Sequence, residues 1–288
     1  MILVTGATGH LGSAVIEQLV KTVSPATIAG LARNEDKTQM LRDKGVQVRM
    51  GDFDDVASLH QAVEGVDTIL LISTVDPHRY QQHQNLIDAA KAAGVQHIAY
   101  TSALIRDWNS SAVKTHLESH FQTENYLRES GLHYTIFRNS LYADMIPVYA
   151  GEKVFEKGIY LPAGNGKVAY ALRREMGEAI ANTLLQNDTE SIIYELTGSA
   201  LYSYDDIAKS LSEIAGKDVP YTNADALAFP GELRQLGVPE RMIAIAAGFT
   251  TDIRNRQYET LSTDLESLLG RKPKTLQDAL EEIYASRI

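Results

Sequence analysis

The chain has 288 residues, 44% of them hydrophobic and 22% charged, with 20 Gly and 8 Pro, a composition that excludes disordered, collagen-like and coiled-coil architectures. With 27 Lys+Arg against 37 Asp+Glu the net charge is −10, and no basic cluster offsets it locally, so neither nucleic acid nor an anionic membrane surface is an expected partner. There is no cysteine, which removes disulfides, thiol nucleophiles, thiolate zinc sites and iron–sulfur clusters together.

The length suits one large domain with an annex, or two modest ones. Stretches free of Asp, Glu, Lys and Arg are too short or too interrupted to span a bilayer; Ala92–Ile105, for instance, contains Gly94, Gln96 and His97. The sequence opens directly on a strand-like run, Ile2–Val4, without the pattern of a signal or transit peptide, so a cytoplasmic location is expected.

From the first residue, short β-rich runs alternate with helical patterns. Ile2–Thr5 reads as a strand, and Leu11–Val23 carries Leu11, Val15, Leu19 and Val20 at helical spacing. Thr27–Leu31 is a second strand, followed by a polar helix from Glu35 to about Lys44. Val46–Met50 and Ala57–Val63 form the next strand and helix. Asp67–Ser73 holds a continuous apolar run, as in a strand covered on both faces. A helix over Tyr80–Ala93 stops at Gly94, His97–Thr101 is a strand, a helix over Lys114–Ser130 stops at Gly131, and Tyr134–Arg138 is a strand.

This rhythm predicts an α/β fold: a Rossmann-type, doubly wound parallel sheet with helices on both faces, because parallel strands need crossover connections. Beyond Asn139 the rhythm loosens around Gly151, Gly158, Pro162, Gly164 and Gly166, with short runs such as Ile159–Leu161 between them. Arg174–Leu185 then reads as a helix and Ile192–Leu196 as a strand able to rejoin the sheet. Four further helices are predicted over Asp205–Ala215, Ala224–Leu236, Pro239–Phe249 and Thr275–Ala285. The expected organisation is a dinucleotide-binding unit over 1–150, with 168–197 returning to its sheet, and a smaller, partly interleaved, mainly helical substrate region over 151–288.

The strongest chemical signal is Thr5-Gly6-Ala7-Thr8-Gly9-His10-Leu11-Gly12, a G-x-x-G-x-x-G loop between the first strand and the first helix. That context suits a dinucleotide diphosphate: Gly6 permits the tight turn, Gly9 lets phosphate oxygens approach backbone, and Gly12 lets helix and strand pack closely. The helix adds unsatisfied N–H groups and the positive end of its dipole. The alternative is a tight turn that binds nothing. A P-loop is excluded because no Gly-Lys-Ser/Thr follows.

The tip of the second strand selects the dinucleotide. An NAD site normally places Asp or Glu there to accept from the ribose 2′-hydroxyl. Here the run is Gly30-Leu31-Ala32-Arg33-Asn34, and Arg33 is placed to pair with a 2′-phosphate, the alternative being an ordinary surface residue, so NADP(H) is expected, with NADPH preferred over NADH. Asp52, after the third strand, either accepts from the adenine amino group or caps the next helix, and Phe53 can pack on the ring. Ser73 and Thr74, at the end of the fourth strand, are candidates to line the nicotinamide ribose.

These motifs, together with Tyr134-Thr-Ile-Phe-Arg-Asn-Ser-Leu-Tyr142, Tyr194-Glu-Leu-Thr-Gly198 and Gly237-Val-Pro239, resemble the NmrA-like branch of the atypical short-chain dehydrogenase/reductases over nearly the whole chain. Within it the sequence is most similar to the bacterial NAD(P)H quinone oxidoreductase and triphenylmethane-dye reductase group. The wider superfamily uses a Tyr-x-x-x-Lys dyad, in which Lys lowers the Tyr pKa for proton exchange. The equivalent positions here hold His116 and His120. Tyr149 and Lys153 have the spacing but lie after the sixth strand and are separated by Gly151, a coincidence of sequence.

His116 and His120 share a helix face but lack the His-Glu-x-x-His order of a metalloprotease, since Glu118 projects roughly 200° away from His116, and no third ligand is evident; no metal is expected. Either they border the substrate pocket, or they pack or face solvent. Ser102, Asn139 and Tyr142 complete the candidate pocket, each with an alternative as a loop or capping residue.

Loss of the dyad fits reduction of a conjugated, electron-poor acceptor such as a quinone or dye, whose reduced product is delocalised or neutral, so that proximity and orientation over the nicotinamide suffice. The expected partner is a small-molecule acceptor; a homodimer is compatible with the sequence, and nothing in it specifies one. The alternative is an NmrA-like dinucleotide-binding redox sensor without turnover.

Overall fold

Apolar segments of three to seven residues, separated by helices, pair edge to edge into one sheet, as the computed structural model shows for residues 1–186 and 190–285. Residues 187–189 and 286–288, within the spans 168–197 and 151–288, lie outside the described residues. Among the described residues the main sheet has seven strands in the order β3-β2-β1-β4-β5-β6-β8. These are β1 (Ile2–Val4), β2 (Ile28–Ala32), β3 (Gln47–Met50), β4 (Thr68–Leu71), β5 (His97–Ala103), β6 (His133–Asn139) and β8 (Ile192–Leu196). Every pairing is parallel, with Ile2 opposite Ile28 on one side and Thr68 on the other, and Phe137 opposite Tyr194 at the far edge. The Rossmann-type fold is as expected, and its order reverses between β1 and β4, where a crevice opens at the strands' carboxyl ends.

Helices cover both faces because the strands are apolar on both. On one side α1 (His10–Thr22) buries Leu11, Val15, Ile16 and Leu19 beside α8 (Arg173–Leu184) and α12 (Asp264–Leu269). On the other, α3 (Val56–Ala62), α4 (Arg79–Ala92) and α5 (Lys114–Glu129) pack Leu59, Leu86, Ile87 and Leu127 on Leu3, Ile69, Ile98 and Ile136. A third core lies after β6, where Ile146, Leu161, Tyr170, Tyr204, Leu211, Phe229, Ile253 and Leu280 pack together. It joins α6 (Ile146–Ala150), α7 (Val154–Lys157), α9 (Tyr204–Ala215), α10 (Phe229–Gln235), α11 (Glu240–Arg254) and α13 (Leu276–Tyr284) to a two-stranded parallel sheet of β7 (Ile159–Leu161) and β9 (Tyr221–Asn223).

Three predicted elements need correction. The helix expected over Glu35–Lys44 is a 3-10 turn, Glu35–Lys37, then α2 (Gln39–Asp43); the side chain of Asn34 accepts from Asp36 N and caps the start of the turn, and the Thr38 hydroxyl donates to Glu35 O at its end. The helix expected over Ala224–Leu236 begins only at Phe229, because Asp225 folds back to accept from Leu227 N, and the residues just before are strand β9. The helix from Pro239 runs past Phe249 to Arg254. α6, α7 and α12 were not anticipated: each is short and formed under tertiary packing rather than by a long periodic pattern. By contrast α9 carries a complete local signature, a Ser203–Asp206 capping box at its start and left-handed Gly216 at its end.

Candidate active site

The glycine loop turns where Gly6 takes φ +58° and Gly9 N donates to Gly6 O at 2.9 Å. A Cβ on Gly12 would collide with the Gly6 carbonyl, so helix and loop meet backbone to backbone. Gly9 is the N-cap of α1 and gives no side-chain capping bond, and no acid occupies the first turn. The first N–H groups of α1 are therefore left to an acceptor arriving from outside the helix.

Two adjoining clefts run across the carboxyl edge of the sheet from this loop. The first, about 550 Å³, is walled by Gly6 and Thr8, by Arg33, Asn34 and Lys37 after β2, by Asp52 and Phe53 after β3, and by Thr74 to Pro77 and Gln82. Arg33 forms no ion pair among the described residues. Lys37 and Arg241, both missed in the sequence, add positive charge; Arg241 reaches over from α11 and donates to Val75 O at 2.9 Å. Asp52 accepts from Asp54 N at 3.0 Å, whereas the N-cap of α3 is Asp55, so the capping alternative raised for Asp52 belongs to its neighbour.

The second cleft, about 620 Å³, shares Gly6, Thr74 and Val75 with the first. Gly9, His10, Leu11, Gly12 and Ser73 line it, and so do all five candidate pocket residues, Ser102, His116, His120, Asn139 and Tyr142. Their side chains differ in what they offer. Ser102 donates at 2.6 Å to buried Glu124, which also takes Arg138 and Arg128, so this hydroxyl's proton is committed to the fold. Asn139 Nδ2 donates to Tyr142 Oη at 3.1 Å, and Arg173 lies 4.5 Å from the centre of the Tyr142 ring. His116 sets its ring edge-on to Phe249. Its pKa is lowered by burial and then by the positive charges of Arg79 and Arg241.

His120 is buried between Tyr100 and Arg79, a residue the sequence reading passed over. Arg79, only 3% exposed, donates to Thr74 O, His116 O, Ser119 Oγ and His120 Nε2, and forms no ion pair among the described residues. A guanidinium has no acceptor, so His120 Nε2 must accept, and the remaining proton sits on Nδ1 facing Tyr100 Oη at 2.9 Å. Burial first, then Arg79, holds the His120 pKa well below that of free imidazole. His83, one turn along α4 from Arg79, is held down to about 3 by the same two causes. Tyr149 and Lys153 stand on either side of Gly151 at φ +84°, Tyr149 on α6 and Lys153 at the start of α7, and neither lines the clefts.

Glycine loop, reversed strand order and a two-part cleft together define a dinucleotide-type α/β protein of the short-chain reductase kind. The sequence profile of the NmrA-like family matches residues 1–279, and the chain belongs to that family. It is 35% identical over 286 residues to quinone oxidoreductase 2 of Escherichia coli (strain K12), covering 99% of each chain. A crystal structure of an NADPH-dependent quinone oxidoreductase from E. coli complexed with NADPH superposes with a TM-score of 0.92 at 35% identity, covering 99% of this chain and 100% of that one. The triphenylmethane reductase of Citrobacter sp. complexed with NADP(H) superposes with a TM-score of 0.90 at 33% identity, covering 98% and 100%. No helix among the described residues is long and apolar enough to cross a membrane.

Proposed function

We propose that the protein is an NADPH-dependent oxidoreductase that reduces a conjugated, electron-poor small molecule, quinone- or dye-like, without a Tyr–Lys dyad. The observation that carries this reading is the continuity of the cleft: one wall of glycine-loop backbone and β2-tip cations leads through Thr74 into a second chamber large enough for an aromatic acceptor. The similarity to the quinone oxidoreductase and the triphenylmethane reductase favours an enzyme over a regulator.

The residues present fit the cofactor. The uncapped start of α1 and its side-chain-free loop suit a diphosphate, Arg33 and Lys37 suit a 2′-phosphate, and Asp52 with Phe53 suit an adenine. When bound, NADPH supplies hydride to the acceptor. Ser73 and Thr74 then border the nicotinamide ribose, and His116, His120, Asn139 and Tyr142 form the acceptor wall. Neutral His120, its two nitrogens engaged by Arg79 and Tyr100, keeps that wall rigid. The dinucleotide-binding unit is assigned to 1–150 with 168–197, and the acceptor-side region to 151–288.

Purified protein mixed with NADPH and a simple benzoquinone tests the assignment. Steady loss of reduced-nicotinamide absorbance, faster with NADPH than with NADH, supports it. Tight dinucleotide binding with no oxidation across quinone, dye and azo acceptors supports the redox-sensor alternative instead.

A further inference from the structure

Arg241 stands in the first turn of α11, a helix of the acceptor-side region, yet it lines the dinucleotide cleft. The far half of α11 is anchored to the segment that leads into α5. There Asp252 accepts from Ser111 Oγ at 2.6 Å and Ala112 N at 2.7 Å, and Gly248 packs so tightly on Val113 that a Cβ would overlap it. The start of the helix meets the loop after β4, where exposed Arg241 donates through Nη2 to Val75 O at 2.9 Å. Among the described residues its guanidinium makes no other hydrogen bond and no ion pair.

Its position says which part of a dinucleotide it meets. The two clefts join at Gly6, Thr74 and Val75, so a dinucleotide lying along both crosses there from its adenosine half to its nicotinamide half, and the part that crosses is the diphosphate. The Arg241 charge is felt in the second cleft too: burial, then Arg79, then Arg241 lower the His116 pKa. The diphosphate also needs a cation. The glycine loop, Gly6 to Gly12, offers N–H groups but no Lys or Arg; Arg33 and Lys37 belong to the β2 side; Arg79 and Arg173 line only the second cleft. Of the carboxylates in the first cleft's wall, Asp52 accepts from Asp54 N and Asp76 from His78 N at 2.8 Å. A guanidinium tied through one nitrogen to a neutral carbonyl keeps its charge and its other N–H groups for a phosphate.

We propose that Arg241 is a cofactor-binding residue that pairs with the diphosphate of NADPH across the cleft from the glycine loop, so that the acceptor-side region clasps the bound dinucleotide. This inference rests on the NADPH-dependent reductase reading and adds to it a residue from outside the dinucleotide-binding unit. The diphosphate is common to NADPH and NADH, so Arg241 serves both, whereas Arg33 serves only the one that carries a 2′-phosphate.

R241Q tests this by equilibrium titration, because glutamine keeps a donor for Val75 O while the charge is lost. The side chain is exposed, so the variant should melt at the wild-type temperature. Its affinity for NADPH and for NADH should fall by the same factor, about tenfold, the scale of one charge-assisted hydrogen bond. Adenosine 2′-monophosphate, which has the adenine and the 2′-phosphate but no diphosphate, should bind variant and wild type alike. Unchanged affinity for both dinucleotides overturns the inference, since the tie to Val75 is then all that Arg241 does. A loss confined to NADPH, or an equal loss for adenosine 2′-monophosphate, overturns it as well. Each of these results leaves the reductase reading standing. A folded wild type that binds neither dinucleotide overturns both.

Discussion

Nη1 of Arg79 donates to Nε2 of His120 at 3.0 Å, joining the first residue of α4 to the middle of α5 directly beneath the cleft. A cation with no ion pair among the described residues fixes the tautomer of a buried histidine that lines the cleft. The site is thus built around a neutral imidazole and a permanent positive charge, not around a phenol activated by lysine.

This arrangement makes the fold acid-sensitive. His83 and His120 have folded pKa values depressed below the free value, His83 to about 3, so between that pH and about 6.5 the unfolded chain binds more protons. Stability is complete above the unfolded pKa and declines as pH falls, by at most about 1.4 kcal/mol per pH unit for each histidine. Denaturant unfolding from neutral pH down to about pH 4.5 should show this decline, and H120N should show a shallower one. Equal stability across the range would contradict the assignment of both as buried and neutral.

Arg33 should discriminate between the two reduced dinucleotides. Only NADPH carries the 2′-phosphate, so R33A is expected to weaken NADPH binding about tenfold, the scale of one charge-assisted hydrogen bond, with little change for NADH. Lys37 lines the same cleft, and K37A should add a further loss for NADPH alone. Fluorescence titration of the two variants with both dinucleotides checks this, and equal losses would remove the phosphate assignment.

Gly12 is required by space. Its would-be Cβ falls on the Gly6 carbonyl and close to Ala7 Cα, all backbone that side-chain rotation cannot clear. G12A should destabilise the protein by about 1–3 kcal/mol and lower dinucleotide affinity, because the loop must move off α1. Thermal melting with and without NADPH separates the two effects.

Glu124 anchors the other side of the cleft. It is 1% exposed, accepts from Ser102 at 2.6 Å and Arg138 at 2.7 Å, and its hydrogen bond raises the Arg138 pKa. E124A leaves partly buried arginine charge without its carboxylate and should cost about 3 kcal/mol in denaturant unfolding. A change below about 1 kcal/mol would mean the cluster is solvent-screened after all.

The sheet and the glycine loop were legible because their signals are local: continuous apolar runs, helical spacing and three glycines between a strand and a helix. The residues missed are those whose role depends on distant partners. Arg79 meets a histidine 41 positions away, and Arg241 a carbonyl 166 positions away. One signal was available for Arg79. It lies on the stripe Arg79, His83, Leu86, Ile87 and Ala90, the buried face of α4, where a charged residue needs an explanation. For Ser102 and Asp52 the residue was placed at the cleft, but the bond its oxygen makes could be seen only once Glu124 and Asp54 were in position.

Titration calorimetry of the purified protein with NADPH tests the central claim most directly, that loop backbone between β1 and α1 grips a dinucleotide diphosphate beside Arg33. The account predicts saturable heat at one site per chain, with weaker binding of NADH. Absence of heat with both dinucleotides, in a protein shown to be folded, would contradict it.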